Sequence, residues 1–195
     1  VCSDVTAGYF AANSADAGVD TAAVKQVACG SGKYSAAGAT VCSDVTAGYY
    51  AVTVSGGTTA TNSAAPAQTL CAAGKYSAAG ASECTAAQSG YFAADSSDAA
   101  LASPYEGAVK EVQVGAGYFA TNSAGTGVNT LAVKQVACGT GYYSSAGATV
   151  CTQVDAGYFA ADSADSGVNT AAVQQVACGS GKYSSAGATV CTQAQ

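Results

Sequence analysis

The chain has no histidine, which excludes Ser–His and Cys–His nucleophilic pairs and imidazole metal ligands. It has no arginine, only six lysines and a formal net charge of −6, so polyanionic partners such as nucleic acid or an anionic membrane surface are not expected. Isoleucine is absent. Its 21 valines, 3 leucines and 4 phenylalanines make up about 14% of 195 residues, below the roughly 20% at which an ordinary packed core becomes doubtful. The hydrophobic fraction of 49% is misleading, because much of it is alanine. Charged residues are also scarce, at 9%, which argues against a charge-driven disordered chain. No apolar run approaches the length of a membrane span. These absences leave small extracellular modules that are stapled because each is too small to stabilise itself by burial.

The chain does have cysteine, and it is regularly placed. The stretch Cys29-Gly-Ser-Gly-Lys-Tyr-Ser-Ala-Ala-Gly-Ala-Thr-Val-Cys42 recurs at 71–84, 138–151 and 178–191, each time with twelve residues between the cysteines. Tyr34, Tyr76, Tyr143 and Tyr183 fall five residues after the first cysteine of each copy, and glycines fall at the third and ninth positions. Glycine permits the positive φ of tight turns, and a cysteine at each end can close the loop. In the chain-entropy model such closure stabilises by roughly 3 kcal/mol.

Longer segments alternate with these loops. They open with Gly-Tyr-Phe or Gly-Tyr-Tyr at Tyr9, Tyr49, Tyr91, Tyr118 and Tyr158 and run to the next cysteine, giving a period of about 40 residues. Val24-Lys-Gln-Val27, Val133-Lys-Gln-Val136 and Val173-Gln-Gln-Val176 read as strands, and the Asn, Asp, Ser and Gly clusters before them as turns. The alanine-rich stretch 93–103 has the composition to hold a helical turn. Pro66 and Pro104 lie in the irregular second and third units, where the connection is expected to bulge.

The segment 85–137 decides the disulfide pairing. Only 27 residues separate Tyr91 from Tyr118, and a whole stapled loop is missing. That loss removes both members of a pair thirteen apart, whereas a scheme with pairs 27 apart would lose one cysteine from each of two pairs. The expected bridges are Cys29–Cys42, Cys71–Cys84, Cys138–Cys151 and Cys178–Cys191. Cys2 is left over. It matches Cys42, so its partner is expected upstream or in another chain. On this basis the sequence reads as a section of a longer array, and its start without Met or signal peptide suits a processed secreted protein. The repeats divide as 1–42, 43–84, a short unit 85–114 lacking its cysteine loop, 115–151 and 152–195.

The pattern Cys-x-x-Gly-x-Tyr-Ser-x-x-Gly-Ala-x-x-Cys resembles the cysteine-rich repeats called ephrin-receptor-like, which are similar to the first half of tumour-necrosis-factor-receptor modules. Long arrays of them occur in protist surface proteins, including ciliate immobilisation antigens. The resemblance covers the four stapled loops and the Gly-Tyr-Phe segments, and it implies a disulfide-held module displayed outside the cell. Where the common form has a further cysteine three residues after the closing one, this chain has Val45, Ala87 or Val154.

Other residues have both a chemical and a structural reading. Asp16 with Asp20, and Asp162 with Asp165, form acidic clusters of the kind that ligates calcium. The third copy has Gly125 and Asn129 at those places and no bidentate Glu follows, so turn capping is favoured and no metal or cofactor is expected. Twelve-residue cysteine spacing lacks the paired knuckles of zinc sites. The tyrosines at 9, 34, 49, 76, 91, 118, 143, 158 and 183 read as structural rings that cover a bridge and a turn, with a binding ladder as the alternative. Asn13, Asn62, Asn122, Asn129 and Asn169 all fail the glycosylation sequon, which leaves O-linked glycans on Ser and Thr.

The sequence therefore predicts a mainly β, elongated, disulfide-stapled rod of tandem short hairpins. It is expected to act as a structural element of an extracellular fibril or surface coat, to associate head to tail, and to have no catalytic residues. The alternative is a receptor-like or adhesive binding module, for which the divergent segment 93–114, with Pro104, Tyr105, Glu106 and Lys110, is the candidate surface.

Overall fold

The computed structural model describes residues 3–195; Cys2 lies outside the described residues. Among the described residues every regular element is a short strand, and each sheet is a pair of strands adjacent in sequence. Strand β1 (Tyr9–Ala12) pairs with β2 (Lys25–Ala28) as a long hairpin, and β3 (Lys33–Tyr34) with β4 (Ser43–Asp44) as a short one. The alternation continues with β5 (Tyr49–Val52) and β6 (Ala67–Leu70), then β7 (Lys75–Tyr76) and β8 (Thr85–Ala86). Two long hairpins follow in succession, β9 (Tyr91–Ala94) with β10 (Lys110–Gln113) and β11 (Tyr118–Thr121) with β12 (Lys134–Ala137). The short pair β13 (Tyr142–Tyr143) and β14 (Thr152–Gln153), the long pair β15 (Tyr158–Ala161) and β16 (Gln174–Ala177), and the short pair β17 (Lys182–Tyr183) and β18 (Thr192–Gln193) complete the order. The molecule is a disulfide-stapled hairpin repeat.

The strands are held at 2–4 residues by their flanking turns. In each long hairpin Gly-Tyr-Phe or Gly-Tyr-Tyr leads directly into the first strand, and Tyr9 pairs with Ala28 while Ala12 pairs with Lys25. The second strands begin one residue later than the valine-rich stretches suggest. The second copy is longer by two residues because the bridge Ala12↔Gly18 of the first hairpin becomes Val52↔Ala60 there, and the extra residues form an exposed turn at 54–57.

Stretch 93–103 holds no helical turn, contrary to the expectation from its alanine content. Its first residues belong to β9, and the Asp95 carboxylate then accepts the amides of Ser97 at 2.8 Å and Ala99 at 3.0 Å. A side chain that captures two backbone N–H groups locally closes a turn and diverts them from a helical ladder.

The described residues gather into two compact units, 3–85 with 106–110, and 86–105 with 111–195. In the first, Val45, Ala51 and Ala65 form a buried cluster flanked by Tyr34 and Tyr49. In the second, Val154, Ala160 and Ala172 form the equivalent cluster beside Tyr143, and a larger one joins Phe92, Ala94, Val114, Ala120 and Ala132. Alanine is therefore the core residue of this fold.

The short unit explains how a stapled loop can be absent without disturbing its neighbours. Elsewhere the first cysteine of a loop donates its amide to the glycine that opens the preceding long hairpin, as Cys138 does to Gly117 at 2.8 Å. Just beyond the loop, a buried valine accepts an amide from the next loop, as Val154 does from Gly187 at 2.8 Å. Val114 performs both tasks, donating to Gly90 at 2.9 Å and accepting from Gly147 at 2.8 Å. One residue joins the two ends from which the loop is missing.

Candidate functional site

The feature built most consistently in this molecule is the junction between successive repeats. Four bridges close the loops that it uses: Cys29–Cys42, Cys71–Cys84, Cys138–Cys151 and Cys178–Cys191, each with Cα atoms 5.7 Å apart. That separation is within the ordinary disulfide range. The bridge anchors the junction at a fixed point, since the carbonyl of the first cysteine accepts an amide from the next repeat. Ala64 donates to Cys29 at 2.8 Å and Gly107 to Cys71 at 2.9 Å in the first unit, and Ala171 donates to Cys138 at 2.9 Å in the second.

A second backbone bond completes each contact. The serine after the loop tyrosine donates its amide to the residue after that donor: Ser35 to Ala65 at 3.0 Å, Ser77 to Ala108 at 3.0 Å, and Ser144 to Ala172 at 3.1 Å. These make the parallel bridges Tyr34↔Ala65, Tyr76↔Ala108 and Tyr143↔Ala172. The same serines turn their hydroxyls the other way, from Ser35 Oγ to the Tyr9 carbonyl at 2.8 Å, Ser77 Oγ to Tyr49 at 2.7 Å, and Ser144 Oγ to Tyr118 at 2.7 Å. All three serines are buried. A buried hydroxyl so satisfied fixes the loop against its own hairpin while its amide fixes the next repeat.

A glutamine performs a comparable task at the base of each long hairpin. Gln26 Oε1 accepts the Thr6 amide at 2.9 Å, Gln68 that of Thr46 at 2.8 Å, Gln135 that of Gly115 at 2.8 Å, and Gln175 that of Asp155 at 2.9 Å. Glu111 takes this place in the short unit and accepts the Gln88 amide at 2.9 Å. In sequence Gln26, Gln135 and Gln175 read only as parts of strands, and Gln68 and Glu111 lie outside the valine-rich stretches. Their signal was present in the fixed position of Gln within Lys-Gln-Val and Gln-Gln-Val, and of Ser beside each loop tyrosine.

The acidic clusters are spent on turns. Asn13, Asp95, Asn122 and Asp162 occupy one position, and each accepts the amide four residues on, for example Ser166 by Asp162 at 2.9 Å. Asp16, Asp98, Gly125 and Asp165 follow with positive φ, from 61° to 82°. The Asp16 carboxylate meets Lys25 Nζ at 2.5 Å, and Asp165 accepts from Gln174 Nε2 at 2.8 Å. Asp20 and Asn129 lie exposed at the following turn. Among the described residues no group of three or more Cys, Asp or Glu side chains converges as a metal site. The ion pairs Lys25–Asp16 and Lys33–Asp44 are solvent-exposed and contribute little to stability.

The tyrosines fall into two sets. Tyr34, Tyr49, Tyr118 and Tyr143 pack half-buried against the valine and alanine clusters. Tyr9, Tyr76 and Tyr91 are also half-buried, whereas Tyr158 and Tyr183 are exposed. Among the described residues no buried side-chain polar atom lacks a partner.

No protein-family model and no curated protein matches the chain. Its class follows from its construction. Repeated disulfide-bonded hairpins with little aliphatic core define a cysteine-rich extracellular repeat module, because such bridges persist in oxidising surroundings outside the cytosol. Among the described residues no helix is long and apolar enough to cross a membrane.

Proposed function

We propose that this chain is a structural protein of an extracellular fibril or cell-surface coat, without enzymatic activity, whose copies associate head to tail. The observation that carries the proposal is the uniformity of the junctions. The same pair of backbone bonds, from Ala64 to Cys29 and from Ser35 to Ala65, recurs at Cys71 and at Cys138. Side chains with chemical potential are committed to it: cysteine to bridges, serine and glutamine to backbone groups, aspartate to turns. A binding module that recognises one ligand diverges at the residues that touch it, whereas a scaffold repeats its contacts. In this reading the resemblance to ephrin-receptor-like arrays in protist surface proteins is one of construction, and exposed Ser and Thr carry O-linked glycans that shield the chain from proteolysis.

A receptor-like or adhesive module is the second reading, and one segment favours it. Residues 101–106 depart from the repeat, with Pro104 and Glu106 exposed and Lys134 Nζ placed 5.8 Å from the centre of the Tyr105 ring. Replacing 101–106 with the matching turn of another copy separates the two. Assembly that survives the exchange with adhesion unchanged supports the structural reading, and loss of cell or matrix adhesion with assembly intact supports the other.

A further inference from the structure

A stapled loop lies against its own long hairpin, and a cleft opens between the two. In the first repeat the cleft has a volume of about 250 Å³, with Phe10, Gly30, Lys33 and Val41 among its walls. The second repeat has the same cleft, of about 220 Å³, walled by the equivalent Tyr50, Ala72, Lys75 and Glu83. We propose that these clefts are subsites, one to a stapled repeat, for single sugar rings of a neutral polysaccharide.

The cleft follows from the construction of the repeat. Gly18 lies so close to the loop that a Cβ on it would strike the Thr40 carbonyl and stand 3.6 Å from the Phe10 ring. Gly127 meets Thr149 and Phe119 in the same way, and Gly167 meets Thr189 and Phe159. With the hairpin and loop in contact at that point, Phe10, Phe119 and Phe159 are each half-buried. Phe92, whose unit has no stapled loop, is 3% exposed and belongs to the core. The valine at the rim is open to the same degree wherever it occurs, at 70% for Val41, 69% for Val150 and 68% for Val190. Agreement among the first, third and fourth loops makes this openness a property of the repeat and not of its place in the chain.

The chemistry of the lining selects the ligand. Each cleft is smaller than the roughly 300–1,000 Å³ pockets that take drug-sized ligands, so it accommodates one ring-sized group. An aromatic ring offers an apolar surface, extended in three loops by the exposed valine. At the lysine position the cross-strand pair of the loop offers hydrogen bonds: Lys33 opposite Asp44, Tyr142 opposite Gln153, and Lys182 opposite Gln193. In the second repeat Glu83 supplies the acceptor in the same cleft as Lys75. A pyranose with equatorial substituents has the matching form, since its C–H faces stack on an aromatic ring while its hydroxyls point outward from the edge. Charge is not what recurs. The Lys33 ammonium is neutralised by Asp44, and the pair in the third loop carries no charge. A donor beside an acceptor is common to all, which suits a neutral partner. A polymer presents the same ring again and again, so such subsites need not diverge, and weak contacts on one chain gain by avidity.

Affinity electrophoresis of the full oxidised chain in gels containing hydroxyethyl cellulose or laminarin, two neutral glucans, tests this. Gly30, Gly139 and Gly179 have no positive φ, and a Cβ on any of them meets nothing within 4 Å. Ala72 already holds a side chain at the same position. Gly30→Leu, Ala72→Leu, Gly139→Leu and Gly179→Leu combined therefore fill the clefts and leave the fold intact. Gly30→Ala, Gly139→Ala and Gly179→Ala combined reproduce the second repeat. At least one glucan should retard the parent chain, and the retardation should persist in high salt because no charge is being paired. The leucine set should bind about tenfold more weakly or less, and the alanine set as the parent does. Retardation by neither glucan, retardation that salt abolishes, undiminished binding by the leucine set, or equal loss in the alanine set would each overturn the subsites. Any of these results would leave the assembly reading standing.

Discussion

The Val114 amide donates to the Gly90 carbonyl at 2.9 Å, making the bond that Cys29 makes to Gly8 at 2.8 Å in a repeat with its loop intact. A fully buried valine thus stands where a bridged cysteine stands elsewhere, and the short unit relies on packing at the point where its neighbours rely on a covalent staple. Val114→Ala removes two buried methyl groups and leaves a cavity among Phe92, Ala94 and Ala120. The expected cost is about 2 kcal/mol, measured by denaturant unfolding of the oxidised chain. A change below roughly 0.5 kcal/mol, the level of an ordinary surface substitution, would show that Val114 does not hold this unit together.

Gly141 and Gly147 share the left-handed conformation, with φ of 78° and 77°, but not their surroundings. A Cβ on Gly147 meets only the Gln113 side-chain amide at 3.4 Å, whereas one on Gly141 runs into the Gly187 backbone. Gly147→Ala should therefore cost about 1 kcal/mol from conformation alone, and Gly141→Ala a further 1–3 kcal/mol or so from overpacking against an unyielding chain. Equal losses in thermal unfolding would mean that backbone contact between loops is unimportant.

At the turn, Asp162 accepts the Ala164 and Ser166 amides at 2.9 Å each, and Asn13 makes the same pair in the first copy. Asp162→Asn should leave stability nearly unchanged, because an amide oxygen serves as well as a carboxylate. Asp162→Ala should cost about 1 kcal/mol. If the two variants lose stability equally and added calcium restores the parent alone, the carboxylate would be a ligand instead of a cap.

Reduction and chelation should have opposite consequences. Opening four bridges returns roughly 3 kcal/mol of loop entropy apiece to a chain whose core is mostly alanine. Circular dichroism and protease resistance should collapse in reductant and persist in EDTA. Persistence in reductant with loss in EDTA would reverse that ranking.

Much of the fold was legible because its constraints are local. The spacing of Cys29 and Cys42, the glycine at 32 and the tyrosine at 34 all specify one hairpin, and a repeated local rule can be read from repetition alone. What escaped was whatever depends on the neighbouring copy. Ala65, Ala132 and Ala172 look like filler in a composition count, yet each is a buried contact between repeats. Ser35 keeps its place beside the loop tyrosine in every copy, but that spacing does not show where its hydroxyl goes, which is to Tyr9, twenty-six residues back. Stretch 93–103 was misjudged because alanine content favours a helix only until a side chain such as Asp95 captures the backbone first.

Electron microscopy of the oxidised chain, imaged with and without reductant, tests the structural role most directly. Filaments or a regular coat lattice should form under oxidising conditions and dissolve when the bridges are opened. A monodisperse population of single 18.6 kDa particles at every concentration, with all four disulfides intact, would contradict it.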